Sequence, residues 1–119
     1  NHIHAEGSIA KAVAKARAAY PDIPVIVEVE SLDELRQALD TGCSRILIDD
    51  FSDADTREAV RTAAGRKPLE VSGSVTLERL ETIAAAGVDF VSVGSITKNI
   101  RAIDFSMRLG SPPDAEAKA

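Results

Sequence analysis

Stretches of β-branched apolar residues alternate along this chain with stretches that mix Ala and Leu with charge. The alternation predicts strands and helices in turn. A helix is expected from about Ser8 to Tyr20, rich in Ala, Lys and Arg, and Pro21-Asp22-Ile23-Pro24 breaks it. Val25 to Glu30 reads as a strand. Ser31-Leu32-Asp33-Glu34 is a capping box, and the helix it opens ends at Gly42, a residue suited to a left-handed turn. Arg45 to Asp49 is the next strand, and a helix from Asp53 to Ala64 follows, capped by Ser52 or Asp53 and ended by Gly65. Pro68 to Ser72 and Asp89 to Gly94 are the third and fourth strands. Between them a helix runs from Thr76 to Ala86 and ends at Gly87. A short helix is expected over Ala102 to Arg108, and a disordered tail from Gly110.

Special residues recur in phase with this alternation. Glu28 is followed 21 positions later by Asp49 and 21 later again by Glu70, with Ser92 a further 22 on. Strands alternating with helices imply a parallel sheet. The expected fold is α/β, a partial TIM-like barrel of about four βα units, because a whole barrel needs roughly 250 residues. The competing fold is an open doubly wound sheet, which carries a G-x-G-x-x-G turn when it binds dinucleotides; none occurs here. Half a barrel leaves open edges and an uncovered inner face. Either two copies associate, or further strands lie on other sequence. The first residue is Asn1 rather than Met, which suggests a fragment or a processed product.

Composition narrows the function classes. The 119 residues are 45% hydrophobic but only 3% aromatic, so aliphatic and alanine packing must build the core. A formal net charge of -5 argues against a nucleic-acid surface. No apolar run is long enough to span a bilayer, so no membrane partner is expected. Cys43 stands alone, cannot form an internal disulfide, and fits a reducing cytoplasm and a buried position.

In α/β barrels the C-terminal strand ends face the site. Glu28 and Asp49 lie there on neighbouring strands, where two carboxylates can share a divalent cation or grip sugar hydroxyls. The plainer reading puts Glu28 and Glu30 on one solvated strand face. Asp50 is either a second site acid or a cap for the next helix. Glu70 is either a site residue or a paired interior acid. Ser72-Gly73-Ser74 and Gly94-Ser95 follow the third and fourth strands, where backbone amides suit a phosphate. Lys98, four residues beyond Gly94, can add charge to that phosphate, or is an ordinary surface lysine. His2 and His4 form a His-x-His pair with no third ligand nearby, which disfavours a metal site.

Several segments stand together in the order and spacing of quinolinate phosphoribosyltransferase. They are Asn1-His2-Ile3, Val27-Glu28-Val29-Glu30, Ile48-Asp49-Asp50-Phe51, Leu69-Glu70-Val71-Ser72-Gly73 and the run from Gly87 to Lys98. Arg101 to Arg108 also resembles that family's ending. The likeness covers the C-terminal part of the family's barrel. It implies an enzyme that makes nicotinate mononucleotide, carbon dioxide and pyrophosphate from quinolinate and phosphoribosyl pyrophosphate, with magnesium (Mg2+), in de novo NAD synthesis. It implies that Glu28 and Asp49 hold the ribose hydroxyls and the metal. Ser72, Gly73 and Gly94 then hold the 5′-phosphate, with Ser95 and Lys98 beside it. The family usually has Asn where Asp50 stands and often Gly where Ser74 stands. Its quinolinate-binding cations and its N-terminal domain, which covers a partner's barrel, lie upstream. A homodimer or larger assembly is therefore implied, and the 119 residues alone are expected to lack transferase activity. Both presumed substrates are polyanions while this chain is acidic, which points the same way. Two other readings compete: another sugar-phosphate barrel enzyme, and a non-catalytic phosphate-binding or assembly module.

Overall fold

The structure is a computed structural model that describes residues 1–107, 109 and 110. Four strands, β1 (Ile26–Val29), β2 (Arg45–Asp49), β3 (Leu69–Ser72) and β4 (Phe90–Val91), form one parallel sheet in the order β1-β2-β3-β4. Each strand lies beside its predecessor in the chain, and the order never reverses. A doubly wound sheet reverses at its switch point, whereas a barrel advances steadily. The sheet therefore follows the barrel pattern.

Helices are set by local signals. Ahead of β1 stand α1 (His2–Glu6) and α2 (Ile9–Ala19). The crossovers are α3 (Leu32–Leu39), α4 (Asp53–Ala63) and α5 (Leu77–Ala86), and α6 (Ser95–Lys98) follows β4. Ser8, Ser31, Ser52 and Thr76 cap α2 to α5, each accepting a backbone N–H three residues on. At α3 the Glu34 carboxylate accepts from the Glu30 amide at 2.8 Å, one residue before the cap, so the capping box forms in a shifted version.

One sheet face carries the core. Val27, Val29, Ile46, Ile48, Leu69 and Val71 are buried against Leu35, Ala38, Ala59 and Ile83 of the helices. Burying each such aliphatic side chain contributes about 1.5–3 kcal/mol. The opposite face presents Glu28, Leu47, Asp49, Glu70, Ser72 and Phe90, all half-buried or exposed. Helices on one side only leave this face as the inner surface of a partial barrel.

Several expectations need correction. Gly42 has no positive φ; α3 is capped at Asp40, and Arg17 packs on Gly42 and donates to its carbonyl at 2.7 Å. Ala64 itself takes the left-handed turn after α4, ahead of Gly65. β4 is two residues long rather than six, since no further strand pairs with its outer edge among the described residues. The stretch 102–107 is not helical: Ile103, Phe105 and Met107 are 75%, 86% and 87% exposed, and a short helix without a packing surface is marginal. Arg108 and the tail 111–119 lie outside the described residues. The helix α1 was not foreseen; Gly7 ends it at φ 80.

Candidate phosphoribosyl site at the strand ends

The sheet register decides which predicted residues meet. Glu28 pairs with Leu47, Leu47 with Glu70, and Glu70 with Phe90, so these four share one level of the inner face. Asp49 pairs with Ser72 one level closer to the strand C-terminal ends. The Ser92 amide donates to Val71 O at 2.9 Å and extends β4 toward that upper level. The recurring spacing therefore does not align acid beside acid. It climbs the sheet, leaving Asp49 above and between Glu28 and Glu70.

The three acids have different fates. Both oxygens of Glu70 are occupied: Arg45 Nη1 donates to Oε2 at 2.8 Å, and the Ser92 hydroxyl donates to Oε1. The Ser92 hydrogen bond, then the Arg45 hydrogen bond and charge, hold the Glu70 carboxyl below the ordinary carboxylate range despite its burial. Arg45 also lies 3.9 Å from the centroid of the Phe90 ring, a cation–π contact. Glu70 is thus the paired interior acid. Glu28 and Asp49 join no ion pair among the described residues and keep their oxygens available.

The loop after β3 approaches Asp49 and the backbone of Asp50 closely. Gly73 has φ +75, and a Cβ there would lie 2.9 Å from Asp50 N and 3.0 Å from Asp49 Oδ1. Only glycine fits both the conformation and the space. The Asp50 amide donates to Ser72 O at 3.0 Å, stitching the two strand ends together. Asp50 sits at φ 54, a left-handed conformation that Asp and Asn tolerate best among residues with a Cβ. It does not cap α4; Ser52 does. Ser74 is also left-handed at φ 48. The loop does not open α5 directly, because Thr76 caps that helix.

Gly94 starts α6 at φ -69, and its carbonyl accepts from the amides of Thr97 and Lys98. A Cβ on Gly94 would lie 4.0 Å from Lys98 Nζ, so that ammonium stands over the loop after β4. The loops bearing Ser72-Gly73 and Gly94-Ser95 follow adjacent strands, β3 and β4. His2 and His4 are two apart on α1, and no group of three or more metal-ligating side chains forms among the described residues. Cys43 is buried, its Sγ 3.5 Å from Ala38 O.

Residues 1–108 match the family described as quinolinate phosphoribosyl transferase, C-terminal domain. The chain belongs to this family. It is 38% identical over 112 residues to a nicotinate-nucleotide pyrophosphorylase (carboxylating) of Mycobacterium leprae, covering 92% of this chain and 39% of that protein. A Rattus norvegicus enzyme of the same name is 37% identical, with 96% of this chain and 40% of the relative covered. The solved nicotinate-nucleotide pyrophosphorylase of Francisella tularensis superposes with a TM-score of 0.83 at 48% identity, over 87% of this chain and 37% of that one. The chain thus spans about two fifths of the length of the curated relatives it matches.

Two polar residues of this family member escaped the sequence reading. Arg45 reads as a strand-start cation, and its pairing across the inner face with Glu70 has no sequence signal beyond the in-phase acid. Arg79, in the first turn of α5, reads as a solvated helix residue. It instead reaches back to both site loops, donating to Phe51 O, Ser74 O and Asp53 Oδ1. No helix among the described residues is long and apolar enough to cross a membrane.

Proposed function

We propose that this chain carries the phosphoribosyl side of a carboxylating nicotinate-nucleotide pyrophosphorylase. The reaction joins quinolinate to phosphoribosyl pyrophosphate and releases nicotinate mononucleotide, pyrophosphate and carbon dioxide. The observation that carries the reading is the contact between Gly73 and Asp49-Asp50, which sets the phosphate loop directly beside the uncommitted carboxylate of Asp49.

Glu28 and Asp49 hold the ribose hydroxyls in this reading. Ser72, Gly73, Gly94 and Ser95 cradle the 5′-phosphate, and Lys98 adds its charge. Magnesium fits the same acids: it takes oxygen donors and is commonly held by one or two carboxylates together with substrate phosphates. Glu70 is excluded as a ligand because Arg45 and Ser92 occupy it. When bound, magnesium offsets charge on the departing pyrophosphate.

The chain's own groups act on the sugar. As the bond from C1′ to pyrophosphate breaks, positive charge grows on the ring, and fixed carboxylates beside it stabilise that charge. The quinolinate nitrogen then bonds to C1′. The resulting pyridinium accepts the electron pair released when the adjacent carboxylate leaves as carbon dioxide, and a proton replaces it. Cations for the pyridine dicarboxylate come, in this reading, from sequence beyond these 119 residues, since the chain is acidic. The same reading expects the protein in the cytoplasm, in keeping with a single cysteine that has no disulfide partner in the chain, and in a homodimer or larger assembly, supported by the half-buried and exposed inner face.

Calorimetric titration tests this directly. Binding of phosphoribosyl pyrophosphate that requires magnesium supports the enzyme reading. Equal binding of inorganic phosphate without metal supports a non-catalytic phosphate module and overturns it.

A further inference from the structure

We infer that Arg79 is a positioning residue that locks the acid-bearing loop after β2 to the phosphate-facing loop after β3. The ligand part of this inference rests on the proposed function; the coupling itself does not.

The geometry is a fork. Nη2 donates to Phe51 O at 3.3 Å, on the loop leaving β2, and to Asp53 Oδ1 at 2.8 Å, on the first residue of α4 that ends that loop. Nε also reaches Asp53 Oδ1, at 3.3 Å. Nη1 donates to Ser74 O at 2.9 Å on the loop leaving β3. A guanidinium presents its donors in a fixed plane, so it sets the two loops at one separation, which a single ammonium cannot do. The side chain is 26% exposed, and its bonds to Phe51 O and Asp53 Oδ1 are partly buried while that to Ser74 O is exposed.

What is locked is strained. Asp50, next to Phe51, has φ 54, and Ser74 has φ 48. Each is a non-glycine residue in a left-handed conformation, which costs energy and persists only where surroundings enforce it. Phe51 and Val75, both buried, anchor the loops from below. Arg79 holds them from the helix side, and the bond from Asp50 N to Ser72 O reports whether they stay together. In the proposed function a sugar phosphate needs both sides at once: its phosphate lies on the loops after β3 and β4, and its hydroxyls on the acids of β1 and β2. Inorganic phosphate needs only the loops after β3 and β4.

Amide hydrogen exchange on Arg79→Ala tests the coupling. The Asp50 amide is expected to exchange about tenfold faster or more, with the amides around Ser74 accelerated together, because charge-assisted bonds are lost. The β2 amides of Ile46 and Ile48 stay protected. Arg79→Lys is expected to restore at most one loop. If Arg79→Ala proves too unstable, Asp53→Ala removes one anchor and is expected to raise Asp50 exchange with the core intact. Unchanged Asp50 exchange, or acceleration confined to one loop, overturns the inference. A binding arm separates it from the function. Arg79→Ala should weaken ribose 5-phosphate about tenfold while inorganic phosphate changes little. If the wild type shows no preference for ribose 5-phosphate, the proposed function fails while the exchange result still decides the role of Arg79.

Discussion

Gly73→Ala is the substitution whose cost can be worked most directly from the geometry. Two terms add. The left-handed backbone at φ +75 penalises any Cβ by about 1–2 kcal/mol. The new methyl also meets Asp50 N at 2.9 Å and Asp50 Cα at 3.1 Å, which are backbone atoms and cannot rotate away. Forcing a methyl into packed surroundings costs about 1–3 kcal/mol. The sum is about 2–5 kcal/mol, a large share of the stability of a domain this size. Gly65→Ala supplies the control. Its φ of +72 is nearly the same, yet nothing lies within 4 Å of its would-be Cβ. Only the conformational term applies there, again about 1–2 kcal/mol. Urea unfolding of both variants isolates the contact as their difference, expected at about 1–3 kcal/mol. Equal costs at the two positions would refute the close approach between the loops, and with it the claim that phosphate and acid sides adjoin.

Glu70→Gln should destabilise by about 1–3 kcal/mol near neutral pH, since Arg45 loses a charged partner. The Glu70 carboxyl is held below its ordinary range, so its contribution is present above that range and fades as pH falls through the folded value. The cost of the variant should therefore shrink in acid, and a pH-independent difference in urea midpoint would contradict the pairing. Lys98→Ala should leave the urea midpoint unchanged and weaken inorganic phosphate about twofold to fivefold, because an exposed charge contributes modestly. Unaltered phosphate affinity in that variant would return Lys98 to the ordinary surface.

The alternation of strands and helices was legible because period and caps agree with one another, while of the three expected glycine stops only Gly87 closes its helix. Ser31 and Ser52 cap where capping chemistry predicts, and the β-branched runs become the buried strand face. Elements that depend on absent neighbours were harder to read. Among the described residues no strand pairs beyond β4, which is short, and 102–107 is irregular and exposed. The site shows the same division. Glu28, Asp49, Ser72, Gly73 and Gly94 were visible as strand-end residues, and the structure places them on or beside adjacent strand ends. Their relative heights depend on pairing register, which the spacing alone misstates: Asp49 stands beside Ser72, not beside Glu28. That Glu70 is neutralised by Arg45, and that Arg79 spans two loops, are three-dimensional facts between residues 25 and 28 positions apart.

The central claim is that one ligand engages both strand-end loops. Backbone amide shifts of the isotope-labelled chain, titrated with phosphoribosyl pyrophosphate and magnesium, test it most directly. The account predicts the largest shifts at Glu28, Asp49, Ser72, Gly73 and Gly94 together. Shifts confined to Gly94 and Lys98, or to the opposite end of the sheet around Val25 and Ser44, would contradict it.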